Sequence, residues 1–297
     1  MPFIGTVTGS FTAGRRASAF NRDWSPSMLG NDLRMWLNPS DTSTTTFQAG
    51  PNNLTSITDA SGNSGVTINI NNTPQQSTED NKQIISFDHA SNEYLSTGSF
   101  GIASNGNHWA AFAGEIASVN STKDSIWSFD TTQTPARDYA ISSGNVNDFN
   151  GELDLDGLTT NRISSNAGNK IDFTAQTPIQ PFTKFMLLCY FDKTGSEIGV
   201  RVNGNNAFTP ETDYDNNLKT TAGMNIFRNR GSQTFGGKLF EFMVAQGQPG
   251  TGGTDISTVE KAEGYLAHKW NGSVGGPNAL LDRLNSSHPY KSYAPTG

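Results

Sequence analysis

The segment KFMLLCYFD, residues 184–192, sets an unbroken apolar run between Lys184 and Asp192. Side chains of a β-strand alternate between two faces. An apolar run without alternation therefore predicts a strand buried on both faces. The next segment, EIGVRVNG (197–204), does alternate, and it ends in Asn-Gly, the strongest short-range hairpin signal. A central strand covered above and below, with a hairpin partner at its side, belongs in a layered fold.

The same period runs through most of the chain. LRMWL (33–37), VTINI (66–70), IISFD (84–88), HWAAFAGEIA (108–117), SIWSFD (125–130) and DYAIS (138–142) read as strands. So do an acidic segment at about 147–156, MNIFRN (224–229) and KLFEFMVAQ (238–246). Turn residues separate them, which is the spacing of an all-β sandwich. Only 16% of residues are charged; Asn, Ser, Thr and Gly supply the polarity, and these residues favour turns over helix interiors. There is no internal repeat, and no central linker divides the chain.

One helix is predicted, in TDISTVEKAEGYLAHKWNG (254–272). Ile256, Val259, Ala262, Tyr265, Leu266 and Trp270 share one face at helical spacing. Asp255 or Ser257 can cap its start, His268 and Lys269 oppose the dipole in its last turn, and Gly272 stands where a left-handed residue ends a helix.

The formal charge is −7, with no basic block. That argues against nucleic acid and anionic membranes as partners, since both are held by dense Lys and Arg. No stretch approaches the length of a membrane span, and the opening MPFIGTVTGS lacks the pattern of a signal peptide. The single cysteine, Cys189, lies inside the apolar run, so no internal disulfide forms and a buried thiol is expected. His89, His108, His268 and His288 are scattered without metal-ligand spacing. Trp36, Trp109, Trp127 and Trp270 sit in apolar strand or helix contexts and read as core.

Residues 1–27 differ in kind. They are rich in Gly, Ser, Thr and Ala, and their aromatics follow neither a helix nor a strand period. Such a segment does not fold alone. It reads as an anchoring arm, with Phe11, Arg15, Arg16, Phe20 and Trp24 as candidate assembly contacts.

The sharpest chemical question lies at GELDLDG, residues 151–157. Asp148, Asn150, Glu152, Asp154 and Asp156 share one parity, while Phe149, Leu153 and Leu155 take the other. The bland reading is the wet face of an ordinary strand, whose like charges discourage edge-to-edge pairing. On a ligand-facing sheet the same five residues become candidates for hydrogen bonding to a glycan. Oxygen donors of this type also suit Ca²⁺. Successive same-face residues are, however, about 6.8 Å apart, so an ion would need two neighbours and a further loop.

The last segments, EKAEGYLAHKW and HPYKSYAP, resemble the closing signature of the laminin-G-like, concanavalin A-like lectin/glucanase domains of marine phage and bacterial proteins. Further pieces agree in order: NDLRMWLNPSDTSTTT, ITDASGNS, FMLLCYFD with EIGVRVNG, and FGGKLFEFMVAQG. The match runs over about residues 28–297 and leaves out the arm. The resemblance implies a two-sheet antiparallel jelly-roll with one C-terminal helix. It also implies service in a virion structural protein, as a capsid decoration or a tail-fibre component.

The superfamily contains retaining glucanases, whose signature is Glu-x-Asp-x-Glu. Glu152 and Asp154 match it, but Asp156 stands where the second Glu belongs. Residues i and i+4 on a strand are about 13 Å apart at Cα, and retaining chemistry needs the carboxyls about 5–5.5 Å apart. The shorter Asp closes that gap poorly, so no catalytic role is assigned.

The expectations are then definite. An arm (1–27) precedes one all-β concanavalin A-like sandwich (28–297). The protein is expected to be a non-enzymatic virion component, oligomeric within an assembly. Its partners are other virion proteins, met through the arm, and host surface glycans. It requires no cofactor, with Ca²⁺ as the one candidate ion. A carbohydrate-binding module of a bacterial surface protein is the alternative, and a glycoside hydrolase using Glu152 is a third reading.

Overall fold

A computed structural model describes residues 23–63, 65–99, 101–102, 107–118, 125–129, 139–143, 151–155, 170–173, 182–192, 197–207, 211–212, 223–228, 234, 236–250, 255–272 and 279–297. In chain order the strands are β1 (Leu33–Leu37), β2 (Thr45–Phe47), β3 (Leu54–Ile57), β4 (Ile68–Asn71), β5 (Gln75–Glu79), β6 (Lys82–Phe87), β7 (Tyr94–Thr97), β8 (His108–Ser118) and β9 (Ser125–Phe129). There follow β10 (Tyr139–Ser143), β11 (Gly151–Leu155), β12 (Lys170–Phe173), β13 (Lys184–Asp192), β14 (Glu197–Val202), β15 (Asn205–Asn206), β16 (Glu211–Thr212), β17 (Met224–Ile226) and β18 (Gly236–Gln246). Among the described residues two α-helices, α1 (Ser257–Lys269) and α2 (Leu280–Arg283), come near the end.

Two antiparallel sheets dominate. Among the described residues one has nine strands, in the order β15-β14-β13-β8-β18-β6-β5, with β1 also on β18 and β16 also on β14. The other has seven, in the order β12-β11-β10-β9-β17-β7-β4. The β-sandwich predicted from the alternating segments is present. The short strands β2, β3, β5, β7, β12, β15 and β16 were not read from the sequence, being brief or built of Gln, Ser, Thr and Asn.

The apolar run of β13 is an interior strand of the nine-stranded sheet, between β14 and β8, and all nine of its residues are buried. Phe185, Leu187, Cys189 and Phe191 join the core between the two sheets, together with Phe112, Trp127, Ile226 and Phe242. Met186, Leu188 and Tyr190 enter a second core beneath the helices, with Trp109, Phe240, Val259, Leu266 and Trp270. The order of layers is therefore seven-stranded sheet, first core, nine-stranded sheet, second core, helices. Each fully buried Leu or Phe contributes about 1.5–3 kcal/mol by leaving water.

The predicted hairpin forms. Asn203 (φ 51) and Gly204 (φ 76) both adopt left-handed backbone, as the two-residue turn between twisted strands requires. Helix α1 buries Val259, Ala262 and Leu266 as its spacing predicts, and also Glu263. Asp255 Oδ1 accepts the Ser257 N–H at 2.8 Å. Gly272 (φ 71) follows the helix, and a Cβ there would lie 2.5 Å from Asp80 Oδ1.

Strand β18 departs from simple alternation. Its register to β8 shifts between Leu239 and Glu241. Leu239 and Phe242 face the first core and Phe240 the second. Glu241 bonds to groups beside Phe240, on the helix side. A bulge of this kind puts an extra residue into one strand and re-aims a side chain.

The arm boundary moves. Asp23 bridges Thr296, and Trp24 donates its N–H to the Pro295 carbonyl at 2.7 Å. Trp24 is 5% exposed in the second core, edge-on to Tyr265 at 5.9 Å. It therefore fills a pocket of its own domain, not one on a neighbour, which corrects its assignment as an assembly contact. Residues 23–27 belong to the folded unit. Phe11, Arg15, Arg16 and Phe20 lie outside the described residues.

Candidate face of the seven-stranded sheet

The register of the seven-stranded sheet separates two kinds of row. One runs Ile171–Leu153–Ile141–Trp127–Ile226–Leu95–Ile70 across all seven strands. Trp127, Ile226 and Leu95 are fully buried in the first core, so this row marks the inner face. The adjacent row runs Lys170–Asp154–Ala140–Ser128–Asn225–Ser96–Asn69. One step further along, Asp172, Glu152 and Ser142 stand in line. Because neighbouring residues of a strand take opposite faces, these rows belong to the face away from the core.

Glu152 and Asp154 thus sit at register positions of the outer face, and Leu153 at one of the inner face, as the alternation predicts. Asp154 is opposite Lys170, whereas Glu152 is opposite Asp172. Strand β11 is not an edge, because β12 pairs along it. Protection against edge-to-edge pairing therefore does not account for its acids. Asp148, Asn150 and Asp156 lie outside the described residues. Among the described residues no group of three or more His, Cys, Asp or Glu side chains could hold a metal ion.

The other end of the same face was missed in the sequence. Tyr94 pairs with Asn71 and shares the parity of Ser96. Asn71 Nδ2 donates to Ser96 Oγ at 3.1 Å. The Arg228 guanidinium stacks on the Tyr94 ring at 4.3 Å. Arg228 reaches this face because the chain kinks at Phe227, whose φ is 63, an unusual conformation for a bulky residue. Phe227 stays in the core, stacked on Phe87 at 4.5 Å. The folded-back segment is pinned by Ser128 Oγ donating to the Arg228 carbonyl at 2.9 Å. Nearby, Asn72 Nδ2 donates to the carbonyls of Ser91 (2.9 Å) and Asn92 (2.7 Å). Glu93, the residue before Tyr94, is 3% exposed. Burial pushes its carboxyl above the usual range, although it accepts the Asp88 N–H. The only signal for Tyr94 in the sequence was a four-residue alternation, Tyr-Leu-Ser-Thr, inside an Asn/Ser-rich stretch.

This end of the face offers the Ser96 hydroxyl, the amides of Asn69, Asn71 and Asn72, the Tyr94 ring and the Arg228 guanidinium, whereas Ser128 (0% exposed) and Asn225 (5%) are buried. Rings of this kind stack on apolar sugar faces, and amides and hydroxyls hydrogen-bond to their polar edges. The other expected structural roles can be read directly. Cys189 is fully buried, and burial pushes its thiol up, away from nucleophilic use. His108 stacks on Phe191 at 4.7 Å. His268 meets the Tyr290 carbonyl at 2.9 Å. Trp109, Trp127 and Trp270 are core residues, whereas Trp36 is half-buried. No helix among the described residues is long and apolar enough to cross a membrane.

No protein-family model and no curated protein matches the sequence. Solved structures do match in fold. The binding domain of Paraclostridial Mosquitocidal Protein 1 superposes with a TM-score of 0.55 at 12% identity, over 80% of this chain and 52% of that one. The binding domain of botulinum neurotoxin serotype G gives 0.53 at 13% identity, over 78% of this chain and 50% of that one. Domain 4 of an extracellular family GH43 arabinanase from Geobacillus stearothermophilus, solved with arabinotriose, gives 0.52 at 14% identity, over 77% of this chain and 96% of that domain. The chain spans about half the length of the toxin binding domains it matches. At these identities the likeness is one of fold, and the fold of this chain is similar to that of these domains.

Proposed function

We propose that the protein is a non-enzymatic, lectin-like display domain of a virion, as a capsid decoration or a tail-fibre component. It contacts glycans through the outer face of its seven-stranded sheet. The observation that carries this is the order of layers. Asn69, Tyr94, Ser96 and Arg228 reach one outer surface of the molecule, while Ser128 and Asn225 in the middle of the row are buried. The bridge between Asp23 and Thr296 lies with Trp24 under the helices, on the opposite surface. A domain attached through residues 1–22 would turn its helices toward the attachment and its polar face outward. An arabino-oligosaccharide complex of a domain of similar fold supports saccharide as the ligand class. The virion setting rests on the resemblance of the closing segments, EKAEGYLAHKW and HPYKSYAP.

The test is a glycan array followed by titration calorimetry on the leading ligands, with Tyr94→Ala and Arg228→Gln as variants. Weaker binding is expected on removing the ring, because the apolar area it offers a sugar face is lost. Failure of every glycan to bind, or binding that both variants leave unchanged, would sink the reading. The hydrolase alternative is checked separately: sugar release from polysaccharide that disappears in Glu152→Gln would replace this proposal.

A further inference from the structure

The bulge in β18 carries Glu241 to the helix side, where its side chain is 0% exposed. Trp36 Nε1 donates to its Oε1 at 2.6 Å and the Tyr265 hydroxyl donates to the same oxygen at 3.0 Å. Trp270 Nε1 donates to Oε2 at 3.0 Å. Lys269 Nζ stands 2.7 Å from Oε2. The same Nζ is 2.8 Å from Asn38 Oδ1, and Asn38, just past the end of β1, is itself 8% exposed. Ser40 Oγ also donates to Asn38 Oδ1, at 2.7 Å. The rings of Trp36, Tyr265 and Trp270 stand 6.0, 5.6 and 5.4 Å from the amine.

An amine, a carboxamide and a buried carboxylate therefore meet in a pocket walled by aromatic rings. We propose that Lys269 and Asn38 join spontaneously in an intramolecular isopeptide bond, with Glu241 as proton carrier. Nζ gives a proton to Glu241 and attacks Asn38 Cγ. Negative charge develops on Oδ1, where the Ser40 hydroxyl already donates, the placement that stabilises an oxyanion. The Cγ–Nδ2 bond then breaks. Of the three ammonium protons, one stays on the new amide nitrogen and two leave with Nδ2 as ammonium. Glu241 carries them across and ends as it began, a carboxylate. No oxidant and no external reagent takes part. Two physical effects favour the step. The groups are held at contact distance, which removes the entropic cost of a bimolecular encounter. Proton transfer within a desolvated ion pair also removes two buried charges. The bond joins residues 231 positions apart, and so constrains the unfolded chain as a long-loop disulfide does. A chain with a single cysteine has no disulfide of its own to do this.

The test is intact mass spectrometry of the full chain under denaturing conditions, followed by peptide mapping. The expected result is a chain lighter than its sequence by one ammonia, with a branched peptide linking Asn38 to Lys269. Lys269→Arg keeps a cation against Glu241 but removes the nucleophile, and Asn38→Ala removes the electrophile. Each is expected to show its full sequence mass while keeping the wild-type far-UV spectrum. Even if one variant fails to fold, the wild-type mass and map decide the matter. A wild-type chain at its full sequence mass after prolonged incubation at neutral pH overturns the proposal. So does an ammonia loss that maps to a succinimide at an Asn-Gly pair such as Asn203–Gly204, with no branched peptide.

Discussion

Glu263 shows how a single charge is kept inside this protein. It projects from the core-facing stripe of α1 with its side chain 1% exposed. Arg201 of β14 holds it in a fork: Nε donates to Oε1 at 3.0 Å and Nη2 donates to Oε2 at 3.0 Å. His288 donates from Nε2 to Oε2 at 3.1 Å, while its Nδ1 accepts the Tyr290 N–H. Burial works against charge on Glu263, but Arg201 and His288 together hold its carboxyl below the usual range. The linkage follows from that direction. Between the folded and unfolded values the unfolded chain binds the extra proton, so stability rises with pH. The contribution is complete above the unfolded value of 4.5 and is lost as pH falls through the lower folded value. Urea titrations across that acid range should show a falling midpoint, with a shallower slope in Glu263→Gln. Equal slopes would show that the pair does not couple to folding. At neutral pH the same variant should lower stability, since it leaves the buried Arg201 with Glu260 at 3.9 Å as its remaining carboxylate.

At the scale of elements, legibility followed period and length. KFMLLCYFD named its own position, because only a strand between two cores can be apolar on both faces. EIGVRVNG named its turn, because Asn and Gly tolerate left-handed backbone. Helix α1 was legible from Val259, Ala262, Leu266 and Trp270, yet its polar companion Glu263 was not. A lone Glu on an apolar stripe becomes informative only when Arg201, distant in sequence, arrives opposite. Glu241 was illegible for a different reason: alternation along KLFEFMVAQ places it with Leu239, and the bulge reverses that. Half of the candidate face was read from the parity of Glu152 and Asp154. The Tyr94–Arg228 half was not, since Phe227 turns the chain against its own pattern. The stripe itself is testable. Leu266→Ala should cost about 2–5 kcal/mol, read as a lower thermal midpoint with the strand signature of the circular dichroism intact below it. No loss would mean that α1 does not seal the second core.

At the scale of the whole molecule, the position of Trp24 turns a question about attachment into one about stability. Its ring lies in the second core against Tyr265, and its N–H bonds to Pro295, so the beginning and the end of the described chain close the helix layer together. A truncation that stops before Asp23 keeps this closure, and one that continues through Ser27 removes it. The two should therefore differ sharply. Removing 1–22 should leave the thermal midpoint within about a degree of the full chain, because no described contact of the core is lost. Removing 1–27 deletes a buried Trp, worth about 3–5 kcal/mol on comparison with Trp-to-Ala changes. In a domain of this size that lowers the midpoint by about 10 °C. Glycan affinity should be the same in both truncations at temperatures where both are folded, because the polar face lies two cores away from the cut. If instead the shorter truncation alone abolished glycan binding, the ligand would be held by residues 1–22, and the outer sheet face would lose its role. If both truncations melted together with the full chain, Trp24 would contribute nothing to the closure, and the helix layer would be held by α1 and α2 alone.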